Sequence, residues 1–122
     1  MEQNHVSGEI VHAAMKIHTV LGPGLLESVY KACLGHELTR RGLRVEREYA
    51  VPISYDGLQI DVGYRVDLLV ESNVIVEVKA ARHHPLHEAQ LLSYLRLTGL
   101  RVGLLLNFWV PSMRDGIKRM VN

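Results

Sequence analysis

"RVDLLVESNVIVEVKA", residues 65–80, decides how this chain folds. Val, Leu and Ile dominate it, as in a strand, yet Asp67, Glu77 and Lys79 interrupt the apolar run. Strand side chains alternate between faces, so spacing alone puts Glu77 and Lys79 on one face. The side taken by Asp67 depends on the turn. A two-residue loop at Ser72-Asn73 sets Asp67 against Val78, facing away from Glu77. A three-residue loop at Glu71-Ser72-Asn73 sets Asp67 directly opposite Glu77. The second register also gathers Val66, Leu68, Val70, Val74, Val76 and Val78 on one apolar face. Register follows such segregation, so the three-residue loop is predicted, closed by Asn73 in the left-handed region.

Two directly opposed carboxylates repel, and such a pair normally costs stability. A shared divalent cation removes that cost, and Mg²⁺ (or Mn²⁺ in its place) prefers carboxylate oxygens and retained waters. Lys79, one pleat along, suits activation of an attacking water or stabilisation of negative charge on a phosphate. The spacing therefore offers two metal ligands and a cation, an arrangement that cleaves phosphodiesters. The ordinary alternative is an exposed sheet face, with Asp67 paired to Arg65 or Lys79.

Upstream, Leu43, Val45, Tyr49, Val51, Ile53 and Tyr55 alternate with mostly polar residues. The dipeptide Asp56-Gly57 is a hairpin signal. It pairs Tyr55 with Leu58, Ile53 with Ile60, Val51 with Val62 and Tyr49 with Tyr64, and Pro52 suits an open edge. The returning strand continues from Leu58 to about Val70, and a third runs from Val74 to Ala80. Before them, a helix from Asn4 or Ser7 to Val20 shows Val6, Ile10, Ala13 or Ala14, Ile17 and Leu21 at helical spacing, and Gly22-Pro23 stops it. A second helix, Leu25 to Arg41, has Leu26, Val29, Cys33 and Leu38 as its predicted core stripe and Gly42 in the left-handed position beyond it. Downstream, Leu86 to Thr98 reads as a helix closed by Gly99, and "RVGLLLNF" at 101–108 as a strand buried on both faces. "PSMRDGIKRMVN" reads as a loop with a short helix or terminal strand. The order α-α-β-β-β-α-β predicts an α/β fold, one mixed central sheet flanked by helices on both faces.

With 122 residues, 48% of them hydrophobic and 22% charged, the chain is long enough for one domain with its own core, residues 1–122. A net charge of +1 neither announces nucleic acid nor excludes it. Cys33 is the only cysteine, which rules out an internal disulfide and a cysteine zinc cage and fits a reducing, cytoplasmic setting. "MEQNHVSGEI" lacks a basic stretch leading into an apolar one, so no signal peptide is expected, and the apolar runs are too short to span a bilayer.

Asp67 followed by "EVK" at 77–79 resembles the PD-(D/E)XK nuclease superfamily, whose fold is restriction-endonuclease-like. "GLLESVY" at 24–30, with Gly24, Glu27 and Tyr30, is similar to the signature of the GxxExxY protein family within it. "HEAQLLSYLRLTGLRVGLLLNF" at 87–108 and "GIKRMV" at 116–121 resemble that family too. The resemblance implies a nuclease acting on DNA or RNA with Mg²⁺ or Mn²⁺. Asp67, Glu77 and the Val78 backbone carbonyl would bind the metal, and Lys79 would be the catalytic lysine. Glu27 matches an added acidic residue, and Gln90 the polar residue on the helix after the core motif. Two positions depart from the pattern: Val66 replaces the proline, and Trp109 stands where the family has glycine. A chain this short has little room for sequence reading, so a homo-oligomer or a protein partner would supply specificity. The contrasting reading is a catalytically silent nuclease-fold module that binds nucleic acid or a protein; a third is hydrolysis of a non-nucleic phosphate ester.

Other features have plainer readings. Glu27 can pair with Lys31 one turn on. Tyr30 reads as a packing residue. Gln90 and Tyr94 share a helix face. His83, His84 and His87 read as a solvated loop at the site mouth rather than a zinc site. Arg40, Arg41, Arg44 and Arg47 form a local basic cluster that Glu46 and Glu48 dilute.

Overall fold

The structure, a computed structural model, describes residues 2–61 and 63–122. The chain runs α1 (Gln3–Leu21), α2 (Glu27–Arg40), β1 (Val45–Ala50), β2 (Ile53–Tyr55), β3 (Leu58–Ile60), β4 (Arg65–Val70), β5 (Val74–Lys79), α3 (Pro85–Thr98), β6 (Val102–Asn107), a 3-10 turn (Met113–Gly116) and β7 (Ile117–Val121). Five strands form a sheet in the order β1-β4-β5-β6-β7. Only β5 and β6 are parallel, joined through α3; the other neighbours are antiparallel. This is the mixed α/β architecture that the sequence predicts.

Both faces of the sheet are covered. On one, Val6 and Ile10 of α1 and Tyr30, Leu34 and Leu38 of α2 pack against β4, β5 and β6. On the other, Leu91, Tyr94 and Leu95 of α3 pack on Leu69, Ile75 and Leu105. Central strands enclosed in this way are apolar on both sides, which explains Val102–Leu106 in β6 and Val74, Ile75 and Val76 at the start of β5.

The decisive hairpin has the predicted register. Leu68 pairs with Val76, Leu69 with Ile75 and Val70 with Val74, leaving Glu71, Ser72 and Asn73 as the loop. Two details differ. The left-handed residues are Glu71 (φ 54°) and Ser72 (φ 51°), not Asn73. The chain entering β1 grips this turn. The Arg44 N–H donates to the Glu71 carboxylate (2.6 Å), the Glu71 N–H to the Arg44 carbonyl (2.8 Å) and the Arg44 guanidinium to Ser72 Oγ (2.6 Å). Val66 also leaves the Leu68 face and joins the cluster beneath α3.

The long first hairpin is divided in two. Tyr55–Leu58 and Ile53–Ile60 pair as predicted, but as a separate two-stranded ribbon, β2–β3. In the main sheet Tyr49 pairs with Val66, not Tyr64. Between the two pairings one side of the hairpin has more residues than the other, and on that longer side Gly63 takes φ 79°. Pro52 offers no N–H, so the link across the break is the Val51 N–H to the Tyr64 carbonyl (3.0 Å). The expected Val51–Val62 pair falls on a residue outside those described.

The core stripe of α2 is Tyr30, Leu34 and Leu38; of the expected stripe, Leu38 is buried and Cys33 packs partly buried at its edge, whereas Leu26 and Val29 are exposed. Leu26 is the residue before the helix begins and is exposed. Tyr30 sets the rotation. Its ring stacks on Phe108 (centroids 4.4 Å apart), and its hydroxyl donates to the Gly22 carbonyl and accepts from the Leu25 N–H. Leu21 of α1 is likewise exposed, whereas Val6, Ile10, Ala13, Ala14 and Ile17 are buried.

Candidate active site

One residue beyond Leu68↔Val76 lie Asp67 and Glu77, opposite each other. Regular pairing stops there, and the Asp67 side chain takes over: the Val78 N–H donates to Asp67 Oδ2 at 2.7 Å. In a strand, the N–H and C=O of one residue point to the same side. The Val78 carbonyl therefore lies on the β4 side, while the Lys79 carbonyl turns the other way and accepts from the Phe108 N–H (2.8 Å).

Among the described residues Glu77 is the one buried acidic side chain, at 4% exposure. Burial, the adjacent Asp67 charge and a hydrogen bond with Asp67 push its pKa up to about 9, against a weaker pull from Lys79. At neutral pH Glu77 thus keeps its proton. Glu77 Oε1 is fully buried and has no hydrogen-bond partner. Buried acceptors are nearly always satisfied, and an orphaned carboxylate oxygen beside a second carboxylate is a place where a cation fits. Among the described residues no three His, Cys, Asp or Glu side chains converge on one point. The Asp67 and Glu77 carboxylates and the Val78 carbonyl are oxygen donors, the type that Mg²⁺ and Mn²⁺ prefer.

Both layers reach this pair. From α2, Lys31 Nζ lies 3.3 Å from Asp67 Oδ1 and 3.4 Å from Glu48 Oε1. Asp67 is thus paired with Lys31, not with Arg65 or Lys79, and Lys31 serves the sheet rather than Glu27. The sequence hid this contact because Lys31 sits one turn after Glu27 and reads as its helical partner. From α3, Tyr94 is buried; that burial, then the Glu77 charge and Tyr64, raise its pKa.

Lys79 is half-buried and opens onto a cleft of about 260 Å³, lined also by His83, His87, Glu88, Asn107 and Lys118. Burial, then Lys79 and the neighbouring imidazoles, lower the His87 pKa; Glu27 acts in the opposite direction. Glu27 therefore stands within electrostatic reach of His87, half-buried in the first turn of α2. Gln90 is exposed and lines a shallow groove with His84, His87 and Ser93. His83 pairs with Glu88 (2.9 Å), and His84 Nδ1 accepts the Leu86 N–H (3.1 Å) to cap α3. The arginines are largely spent within the fold. Arg41 binds Glu37 and Glu9, Arg44 holds the β4–β5 turn, and the Arg47 guanidinium fills the space beside Gly35. No helix among the described residues is long and apolar enough to cross a membrane.

A family model described as the PD-(D/E)XK nuclease superfamily matches residues 4–120. No curated protein and no solved structure matches the chain.

Proposed function

The chain belongs to the PD-(D/E)XK nuclease superfamily, and from that premise we propose that it is a single-domain, metal-dependent nuclease hydrolysing phosphodiester bonds of DNA or RNA. One observation carries the reading: the buried, partnerless Oε1 of Glu77 beside the Asp67 carboxylate, with Lys79 one pleat along the same strand face.

In this reading Asp67, Glu77 and the Val78 carbonyl would hold a divalent cation. When bound, that cation supplies Lewis acidity toward the phosphate. Asp67 is fixed by the Val78 N–H, so its carboxylate is oriented before any ligand arrives. Glu77 would hold the cation as the ionised carboxylate, its proton released to solvent. Lys79 places an ammonium at the mouth of the cleft, where it stabilises the charge that grows on the phosphate oxygens as water attacks and the P–O bond breaks. His87 lines the same cleft as Lys79 and has Glu27 within electrostatic reach; in this reading the two orient the substrate backbone, and Gln90 meets it along the exposed edge of α3. The Gly24-Glu27-Tyr30 spacing supports assignment to the GxxExxY family. Tyr30 locks the turn before α2, and that lock sets where Glu27 emerges.

The test is incubation with labelled single-stranded, duplex and branched DNA and with RNA, in Mg²⁺, Mn²⁺ or EDTA, beside Asp67→Ala and Lys79→Ala. Cleavage that needs metal and vanishes in both variants supports the reading. Binding without cleavage under every condition would make the chain a silent nuclease-fold module instead.

A further inference from the structure

Every oxygen of Asp67 is already in use. Oδ2 accepts the Val78 N–H at 2.7 Å, and Oδ1 faces Lys31 Nζ at 3.3 Å. The same ammonium stands 3.4 Å from Glu48 Oε1. Glu48 reaches it from a left-handed backbone, φ 51°, within strand β1. Non-glycine residues rarely hold that conformation, and it persists where the surroundings impose it. The two acceptors are unequal: the Asp67 side chain is 12% exposed and the Glu48 side chain 58%.

A divalent cation between Asp67 and Glu77 would find the orphaned Glu77 Oε1 on one side. On the other it would meet Oδ1 already facing an ammonium. Two cations on one carboxylate oxygen repel. Contacts of 3.3 and 3.4 Å are loose enough for the ammonium to change partners, and Glu48 lies nearer to water, where an ion pair forms and breaks at little cost.

We propose that Lys31 is a positioning residue that neutralises Asp67 in the cation-free protein and passes to Glu48 when the site takes its divalent cation. The inference rests on the metal-site reading above and adds a relay of charge to it. Lys31 keeps the cation-free site from carrying bare charge, and Glu48 supplies the place to which its ammonium withdraws.

The test is a double-mutant cycle read by Mn²⁺ calorimetry, without substrate, on wild type, Lys31→Met, Glu48→Gln and the double variant, with circular dichroism confirming the fold of each. Lys31→Met keeps the aliphatic stem and is expected to bind Mn²⁺ about tenfold tighter. Glu48→Gln is expected to bind several-fold more weakly, because the ammonium then stays on Asp67. In the double variant the Glu48 effect disappears, because it acts through Lys31. Additive effects would show a plain field of charges and overturn the relay, as would a Lys31→Met affinity equal to or below wild type. Wild-type protein that fails to bind Mn²⁺, or binds it unchanged after Glu77→Gln, would overturn the metal site itself and the relay with it.

Discussion

The Asp67 carboxylate stands in for a backbone carbonyl, accepting the Val78 N–H at 2.7 Å where β4 and β5 cease to pair. One side chain therefore serves the sheet and the candidate site together. Asp67→Asn keeps an oxygen acceptor for that N–H and is expected to fold near wild-type stability while losing cleavage. Asp67→Ala leaves the N–H unsatisfied and is expected to cost about 1–3 kcal/mol in chemical denaturation. Equal stability of the two variants would contradict this division of roles.

Glu77 makes the cation-free protein sensitive to base. Burial first, and then Asp67, raise its pKa from 4.5 to about 9. The folded-state value lies above the unfolded one, so this contribution to stability is full below pH 4.5 and falls as pH rises toward about 9. Thermal melts in EDTA should show declining Tm over that window. Glu77→Gln should flatten the decline and raise Tm by several degrees at its alkaline end. Because the cation needs the ionised acid, Mg²⁺ affinity should rise with pH across the same range.

Lys79 lies outside the proposed ligand set. Lys79→Met should lower cleavage by about 10²-fold or more while leaving Mn²⁺ affinity within a few-fold of wild type. Loss of Mn²⁺ binding in step with activity would move Lys79 from charge stabilisation to construction of the site.

Tyr30 holds the turn between α1 and α2 with both its ring and its hydroxyl. Tyr30→Phe keeps the stack on Phe108 and should cost about 1 kcal/mol. Tyr30→Ala removes a fully buried ring and should cost about 3–5 kcal/mol. Urea denaturation of the two variants measures the difference.

Periodicity made the sheet legible. The apolar face of Leu68, Val70, Val74, Val76 and Val78 fixed the length of the β4–β5 loop, and with it the meeting of Asp67 and Glu77. Signals within one strand or helix were sufficient there. What stayed hidden required distant contacts. The left-handed pair Glu71 and Ser72 depends on Arg44, far upstream. The rotation of α2 depends on Phe108, near the opposite end of the chain. Leu26 and Val29 satisfied helical spacing equally well, and only the site of Tyr30's ring decides against them. Lys31 was concealed by a local partner, Glu27, that it does not use. The break between β1–β4 and β2–β3 left no trace in alternation, because two surplus residues preserve the parity of an alternating pattern.

That break gives β2 and β3 a life apart from the sheet. Their ribbon turns Tyr55 and Leu58 to solvent, at 73% and 59% exposure, and only Ile53 and Ile60 are half-sheltered. An isolated two-stranded ribbon has marginal stability, so it should open as its own cooperative unit well below the free energy of global unfolding. Its amide protons should exchange with deuterium long before those of β5 and β6. A protease should nick first at the Asp56-Gly57 tip, leaving Asp67, Glu77 and Lys79 assembled on a sheet that has not noticed the cut.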